Sequence, residues 1–125
     1  LDNFEHILDA APLVSELLKH CEGIKILVTS RIPLNLPGEY PHPMSPLEVP
    51  ANSQSESTDA ISQYPAVQLF INRAVLQRPD FSLTSNNASP IAAICRRLDG
   101  LPLAIELAAA WIKILSPQAI LERLE

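Results

Sequence analysis

The chain has 125 residues, a net charge of −5 and a pI near 5.1, which is room for one domain or parts of two. Its acidic balance argues against a nucleic-acid surface, because phosphate binding needs clustered Lys and Arg. No apolar run approaches the length of a membrane span and no signal peptide is recognisable, so we expect a cytoplasmic protein with no membrane partner and no direct nucleic-acid contact.

The first part of the chain predicts a helix followed by a buried strand. Asp9 can cap a helix over about residues 10–21, and the apolar run Ile24–Val28 is typical of a strand buried on both faces. A helix followed by such a strand indicates an α/β unit. The face of the helix expected to point inward consists of Leu13, Val14, Leu17, Leu18 and Cys21.

A proline-rich connector follows at residues 32–50, where the prolines exclude a regular helix. We expect a short edge strand near Met44–Val49. The polar stretch PANSQSEST, residues 50–58, is typical of a loop and predicts a domain boundary.

The remaining residues predict four helices, at about 60–77, 86–98, 102–115 and from Pro117 to the end. Gly100 is placed to end the second helix as a left-handed cap, and Ser116 to cap the fourth. The residues expected to face inward are Val67, Phe70, Ile71, Ala74, Ile91, Ile94, Cys95, Leu98, Leu103, Leu107, Ala108, Trp111, Leu115, Leu121 and Leu124.

The cysteines and glycines restrict the possible chemistry. Cys21 and Cys95 both lie at apolar positions of helical patterns, which predicts two buried free thiols and no zinc site. With three glycines in all and no GxxxxGK[ST] motif, this chain cannot build a phosphate-binding loop of its own.

Three stretches, in this order, resemble the NB-ARC or STAND class of signalling ATPases, closest to LuxR-type and SARP-like bacterial transcriptional regulators. LDNFEH, residues 1–6, resembles the Walker B end of a nucleotide-binding strand. KILVTSR, residues 25–31, resembles the next core strand with its sensor arginine. DGLPLAIELAAA, residues 99–110, resembles the GLPLA motif that opens a helix of the small helical domain.

This resemblance implies a fold and a domain division. Residues 1–50 would be the C-terminal half of a P-loop NTPase parallel-sheet domain, from Walker B to the sensor strand and connector. Residues 51–125 would be a small all-helical domain of four helices carrying the GLPLA motif. The resemblance also implies that a P-loop region precedes this chain and that winged-helix and effector domains follow it. These are the expected partners, together with self-association.

The resemblance assigns roles to five residues. Asp2 would hold Mg²⁺, and Glu5 would be a weak substitute for a second catalytic carboxylate, because Asn3 stands where many relatives have an acid. Arg31 would contact the γ-phosphate of ATP. Leu101 and Pro102 would pack against the adenine.

Each of these roles has a structural alternative. They are a capping Asp2, a solvent-facing Glu5, an Arg31 paired with Glu39, and an architectural helix start at Pro102.

The implied function is a fragment of an ATP- or ADP-dependent STAND switch in bacterial transcriptional regulation or signal transduction. The intact protein would use ATP or ADP with Mg²⁺ and be a slow ATPase. This chain, which has no Walker A loop, is expected to be inactive alone and to bind no nucleotide tightly. Two alternatives stay open, a non-catalytic helical protein-interaction module and a decayed or partial reading frame.

Overall fold

The structure is a computed structural model that describes residues 1–51 and 56–124. Its contacts divide the chain into two compact units, Leu1–Met44 and Ser45–Glu125, called unit 1 and unit 2 below. The central part of the predicted polar loop, residues 52–55, lies outside the described residues. The assignment of a nucleotide-binding half and a GLPLA-bearing helical half to the chain stays a prediction.

The regular secondary structure of the described residues is entirely helical, so the predicted α/β fold class is wrong. Neither the strand expected near residues 24–28 nor the edge strand near Met44–Val49 forms, and residues 1–51 contain no half of a parallel P-loop sheet. Unit 1 instead consists of a 3₁₀ helix, Phe4–Ala10, interrupted by non-helical angles at Ile7, and the helix α1, Ala11–His20.

The apolar run after α1 does not become a doubly buried strand because only one of its sides is covered. Ile26 and Val28 pack against a small cluster of buried side chains, whereas Leu27 between them is 85% exposed. A strand needs neighbouring strands to satisfy its backbone. This segment has main-chain hydrogen bonds only to residues 1–4.

The core of unit 1 is small. Its buried hydrophobic residues are Phe4, Ala11 and Val14, with partly buried residues packed around them. The inward face predicted for α1 is therefore largely wrong, since Leu13, Leu17 and Leu18 are exposed and Cys21 is only partly buried. The helix packs against the core of unit 1 through Ala11 and Val14, and its leucine side chains are exposed to solvent.

The described residues of unit 2 form five α-helices and one 3₁₀ turn. The first predicted helix is interrupted at Tyr64, because Pro65 cannot donate a backbone N–H within a continuous helix. The other predicted starts lie within a few residues of the observed ones. The elements are α2 Thr58–Ser62, α3 Pro65–Gln77, α4 Ser85–Arg97, α5 Pro102–Ala110, the 3₁₀ turn Trp111–Lys113, and α6 Pro117–Arg123.

The helix starts of unit 2 follow from local sequence chemistry. Ser57 and Ser116 cap α2 and α6 by accepting hydrogen bonds from the backbone N–H groups of the third residue beyond each. Thr84 and Asn87 form a reciprocal capping box that allows α4 to begin at Ser85, ahead of Pro90. The core between these helices contains Phe70, Ile91, Ile94, Ile105 and Ile112, all fully buried.

The end of α4 and the start of α5 form a compact turn at the DGLP sequence. The backbone N–H of Gly100 donates to Cys95 and that of Asp99 to Arg96, the two hydrogen bonds of a Schellman motif. Asp99 is the left-handed residue that ends the helix, with φ 51°, and Gly100 follows with φ 67°. The predicted left-handed cap at Gly100 is therefore one residue too late.

Gly100 has a second role, because residues 45–50 lie directly against it. The backbone N–H of Leu47 donates to the Gly100 carbonyl at 2.9 Å, and a Cβ at Gly100 would lie 2.1 Å from the Leu47 carbonyl oxygen. Two further contacts hold this segment to unit 2: the Ala66 N–H donates to the Glu48 carbonyl, and the Arg96 guanidinium to the Pro50 carbonyl. Only glycine allows this close approach.

Replacing Gly100 by alanine should destabilise the chain more than the same change at Gly38. Gly38 also has a positive φ, 80°, but nothing lies within 4 Å of a Cβ there. We expect about 1–2 kcal/mol of backbone strain for Gly38→Ala and about 3 kcal/mol or more for Gly100→Ala, which also displaces residues 45–50. Urea unfolding followed by Trp111 emission measures the loss in unit 2 for Gly100→Ala, and amide hydrogen exchange in unit 1 measures the loss for Gly38→Ala. Equal losses would contradict the contact.

The two thiols should react at very different rates. Cys95 is fully buried, and burial raises the pKa of its thiol to about 12, so the reactive thiolate is scarce at neutral pH. Cys21 is partly accessible. A thiol reagent should modify Cys21 in the folded chain and Cys95 only after denaturant is added. Rapid modification of both thiols in the native chain would be inconsistent with this packing.

Candidate functional site

Residues 1–5 and 27–31 of unit 1 lie side by side. The amino group of Leu1 donates to the Leu27 carbonyl at 2.9 Å, and the Thr29 N–H donates to the Leu1 carbonyl at 2.9 Å. The Phe4 N–H then donates to the Thr29 carbonyl at 3.0 Å. These hydrogen bonds join segments 26 residues apart in the sequence and place their polar side chains together.

Asp2 and Thr29 form the first part of this cluster. The Thr29 hydroxyl donates to Asp2 Oδ1, and its oxygen also accepts from the Asn3 N–H at 3.0 Å. The Asn3 backbone is left-handed, with φ 51°, a conformation that Asn and Asp adopt more easily than other non-glycine residues. Asn and Asp both suit this backbone, so its conformation does not explain why an amide stands where many relatives have an acid.

Glu5 and Arg31 form the second part. Arg31 Nε lies 3.4 Å from Glu5 Oε1, and the arginine side chain is 88% exposed while that of Glu5 is 14% exposed. The other oxygen, Glu5 Oε2, is buried with no hydrogen-bond partner. The predicted alternative partner of Arg31 is engaged elsewhere, since the Glu39 carboxylate accepts from the N–H groups of Leu34 and Leu36.

This arrangement has the donors and acceptors that a magnesium–phosphate group requires. A carboxylate oxygen and a hydroxyl oxygen are hard ligands of the kind Mg²⁺ takes, and an exposed guanidinium can form a fork to phosphate oxygens. The described residues contain no group of three or more His, Cys, Asp and Glu side chains that could hold a metal ion by themselves. Asp2 would thus supply one ligand of Mg²⁺, and water and phosphate oxygens would supply the remaining ligands.

Leu101 and Pro102 belong to unit 2, where they form the start of α5. Pro102 is the first residue of the helix, and Leu101 before it is 51% exposed. A proline at this position is favourable because its absent N–H would have no helical partner anyway. Both side chains are accessible for a ligand or another surface, and the predicted adenine contact stays a prediction.

An apolar groove lies between α5, the turn after it and α6. It has a volume of about 380 Å³, and Arg123 is its one charged lining residue among those the structure describes. Leu107 and Trp111 line it and are 60% and 49% exposed. The groove is also lined by Leu98, Leu115, Ile120 and Leu124.

The inward face predicted for α5 is partly wrong. Ala108 is buried as expected, but Leu103, Leu107 and Trp111 are exposed, while α5 buries Ile105 and Ala109 and the turn after it buries Ile112. Because α5 is apolar on nearly every side, its spacing alone does not define the buried face. No site role was predicted for Thr29, although it directly follows the apolar run Ile24–Val28.

Comparison with known proteins finds close relatives in mycobacteria. The whole chain is 44% identical over 126 aligned residues to proteins named "Putative HTH-type transcriptional regulator" in Mycobacterium tuberculosis and Mycobacterium bovis. A second M. tuberculosis protein, named only as uncharacterized, is 43% identical over 122 residues, or 97% of this chain. No protein-family model matches the chain, and no solved structure gives a significant match.

The chain spans only a small part of these relatives, 13% of the length of the regulators and 28% of the length of the uncharacterized protein. The regulator names support the transcriptional-regulator part of the resemblance, and none of the names mentions a nucleotide. Among the described residues, no helix is long and apolar enough to cross a membrane.

Replacing Thr29 by valine should loosen the Asp2 cluster. The change keeps the side-chain shape but removes one hydrogen-bond donor and one acceptor, and we expect a loss of about 1 kcal/mol because the site is exposed. Thr29→Ser keeps the hydroxyl and should retain most of this stability. Amide hydrogen exchange within unit 1 of both variants checks the prediction, and equal stability of the valine and serine variants would show that the hydroxyl contributes nothing.

Proposed function

We propose that this chain is a nucleotide-responsive switch segment of a bacterial transcriptional regulator, acting in the cytoplasm. The observation that carries the proposal is the meeting of Asp2, Thr29, Glu5 and Arg31 at one place in unit 1. The names of the mycobacterial relatives support the regulatory setting. The motifs LDN, TSR and GLPLA support the nucleotide, as a STAND-type ATP or ADP switch of the LuxR-regulator kind.

Each residue of the cluster would have a separate task. Asp2 would offer its exposed carboxylate to Mg²⁺, and Thr29 would hold that carboxylate in place through its hydroxyl. Arg31, whose side chain is 88% exposed, would exchange Glu5 for the γ-phosphate of ATP, and the cost of this exchange is the loss of its partner by the largely buried Glu5 carboxylate. ADP lacks that phosphate, so the Glu5–Arg31 pair would persist with ADP. Mg²⁺ supplies charge neutralisation for the phosphates when it is bound.

The proposal does not include catalysis by this chain. Glu5 is the only carboxylate beside Asp2 in the cluster, and it is poorly placed to act as a base, because one of its oxygens is buried and the other is paired with Arg31. No glycine-rich loop cradles the phosphates. We therefore expect binding to be weak and turnover to be absent from the isolated chain. Mg²⁺-dependent ATP hydrolysis abolished by Asp2→Ala would contradict this expectation.

A nuclear magnetic resonance titration of the chain with Mg²⁺–ATP tests the binding. The amide signals of residues 2–5 and 29–31 should shift and saturate, with a dissociation constant on the order of 1 mM. ADP should shift the Arg31 signals less than ATP, because the guanidinium would address the γ-phosphate.

Two variants make the titration specific. Asp2→Ala should remove the Mg²⁺ dependence and Arg31→Ala the preference for ATP. Arg78→Ala is the matched control, since Arg78 also has an exposed ion pair, with Asp80, but lies in unit 2. The absence of saturable shifts at residues 2–5 and 29–31, or equal loss in the Arg78 variant, would refute the nucleotide proposal.

A second candidate function, a non-catalytic helical interaction module, is favoured by the apolar groove of unit 2. Large apolar side chains exposed along one helix mark protein interaction sites more often than free surfaces. Apart from Arg123, the groove is lined by apolar side chains, of which Leu107 and Trp111 are large and exposed. This function does not depend on nucleotide, and the two candidates can coexist in one regulator because they use different units.

A further inference from the structure

An exposed apolar surface of unit 2 follows α5 and the turn after it. Leu103, Leu107, Trp111 and Ile114 are 69%, 60%, 49% and 69% exposed. Leu103 and Leu107 lie one turn apart on α5, and Trp111 and Ile114 follow in the 3₁₀ turn and directly after it. A continuous stripe of this kind, next to a groove, is the arrangement that accepts the apolar face of a helix.

The positive charge of Arg123 indicates which kind of segment the groove can bind. Arg123 on α6 lines the groove, is exposed, and has no ion pair within the described part of the chain. An occupant that fits should therefore combine apolar side chains one turn apart with a carboxylate beside them. Such a carboxylate would increase the affinity only modestly, but it would favour one orientation of the bound segment over the reverse one.

Unit 1 presents a helix with this chemistry. On α1, Leu13 and Leu17 lie one turn apart and are 65% and 47% exposed, and Leu18 beside them is 41% exposed. Glu16, also exposed, is three residues after Leu13 and so borders the same side. At 10 residues α1 is about 15 Å long, close to the length of the 9-residue α5.

We propose that the groove of unit 2 binds α1 of a second copy of this chain, with Leu13 and Leu17 in the groove and Glu16 beside Arg123. This inference rests on the interaction-module function and is independent of nucleotide. Because the two surfaces differ, the contact is heterologous, so each copy can use its groove for one neighbour and its α1 for another. Repetition would give head-to-tail chains of molecules.

Self-association can be measured directly, because Trp111 is the only tryptophan of the chain and lies in the groove. We expect its emission to shift to shorter wavelength as the protein concentration rises, with a parallel rise in sedimentation coefficient. Both changes should saturate together. A chain that stays monomeric with an unchanged emission at all concentrations would overturn the proposal.

A complementation experiment tests whether the two surfaces meet each other. Leu17→Asp should prevent α1 from binding and leaves the groove unchanged. Leu107→Asp should prevent the groove from binding and leaves α1 unchanged. Both replaced side chains are exposed, so circular dichroism should show unchanged helix content. Each variant alone should be monomeric. Their mixture should form a 1:1 dimer that grows no further, because one working groove meets one working helix.

Other outcomes identify other occupants. If Leu17→Asp still self-associates while Leu107→Asp does not, the groove binds something other than α1, which overturns this inference but retains the interaction-module function. If neither variant changes the association of the native chain, the groove has no part in it and the module function loses its support.

Reversal of charge provides a second, milder test. Arg123→Glu alone should weaken association by up to about fivefold, as expected for an exposed ion pair. Glu16→Arg combined with Arg123→Glu should restore most of it, while Glu22→Arg with Arg123→Glu is the matched control on the same unit. Restoration by both pairs equally would show a general charge effect and would contradict the proposed contact.

Discussion

The approach of Leu47 to Gly100 is the constraint on which the architecture of unit 2 depends. One hydrogen bond and the absence of a single Cβ allow residues 45–50 to lie across the turn between α4 and α5. The same segment then reaches Ala66 at the start of α3 and Arg96 near the end of α4. A short non-helical segment thus contacts α3, α4 and the turn that precedes α5. The GLP sequence has a packing function here that requires no ligand.

The helical elements could be predicted from the sequence where local chemistry decides them. The predicted cap at Ser116 and the predicted proline starts at Pro102 and Pro117 depend on backbone groups a few residues away, so short patterns suffice. The caps at Ser57 and Thr84 are equally local but were not predicted. The buried set of α4 was correct in its main members. The predictions that failed, the strand at residues 24–28 and the inner face of α5, depend on contacts with residues that are distant in the sequence.

Two examples show this dependence. Ile24–Val28 has the composition of a doubly buried strand, but no covering layer lies over Leu27 in the structure, so no strand forms. On α5, where nearly every side is apolar, the choice of the inner face depended on the shapes of α3 and the turn after α5 rather than on spacing. The Asp2, Glu5 and Arg31 assignments came from motif resemblance, whereas the role of Thr29 appeared only with its hydrogen bonds.

The two candidate functions place different demands on the molecule. A phosphate-responsive cluster needs an exposed charge that can change partners, and the Arg31 guanidinium, which is 88% exposed, has that character. A docking groove needs preformed apolar walls, and the groove beside α5 has them. Since the first lies in unit 1 and the second in unit 2, a change in one can be measured without disturbing the chemistry of the other.

The unequal cores of the two units have a consequence for how the chain loses its structure. Unit 1 has three buried hydrophobic residues, whereas unit 2 contains a continuous core across all its helices. Amide hydrogens of unit 1 should therefore exchange with solvent through frequent local openings, and those of α3 and α4 only through rare, larger ones. The chain should behave as two foldons, so a single melting temperature describes unit 2 and not the molecule.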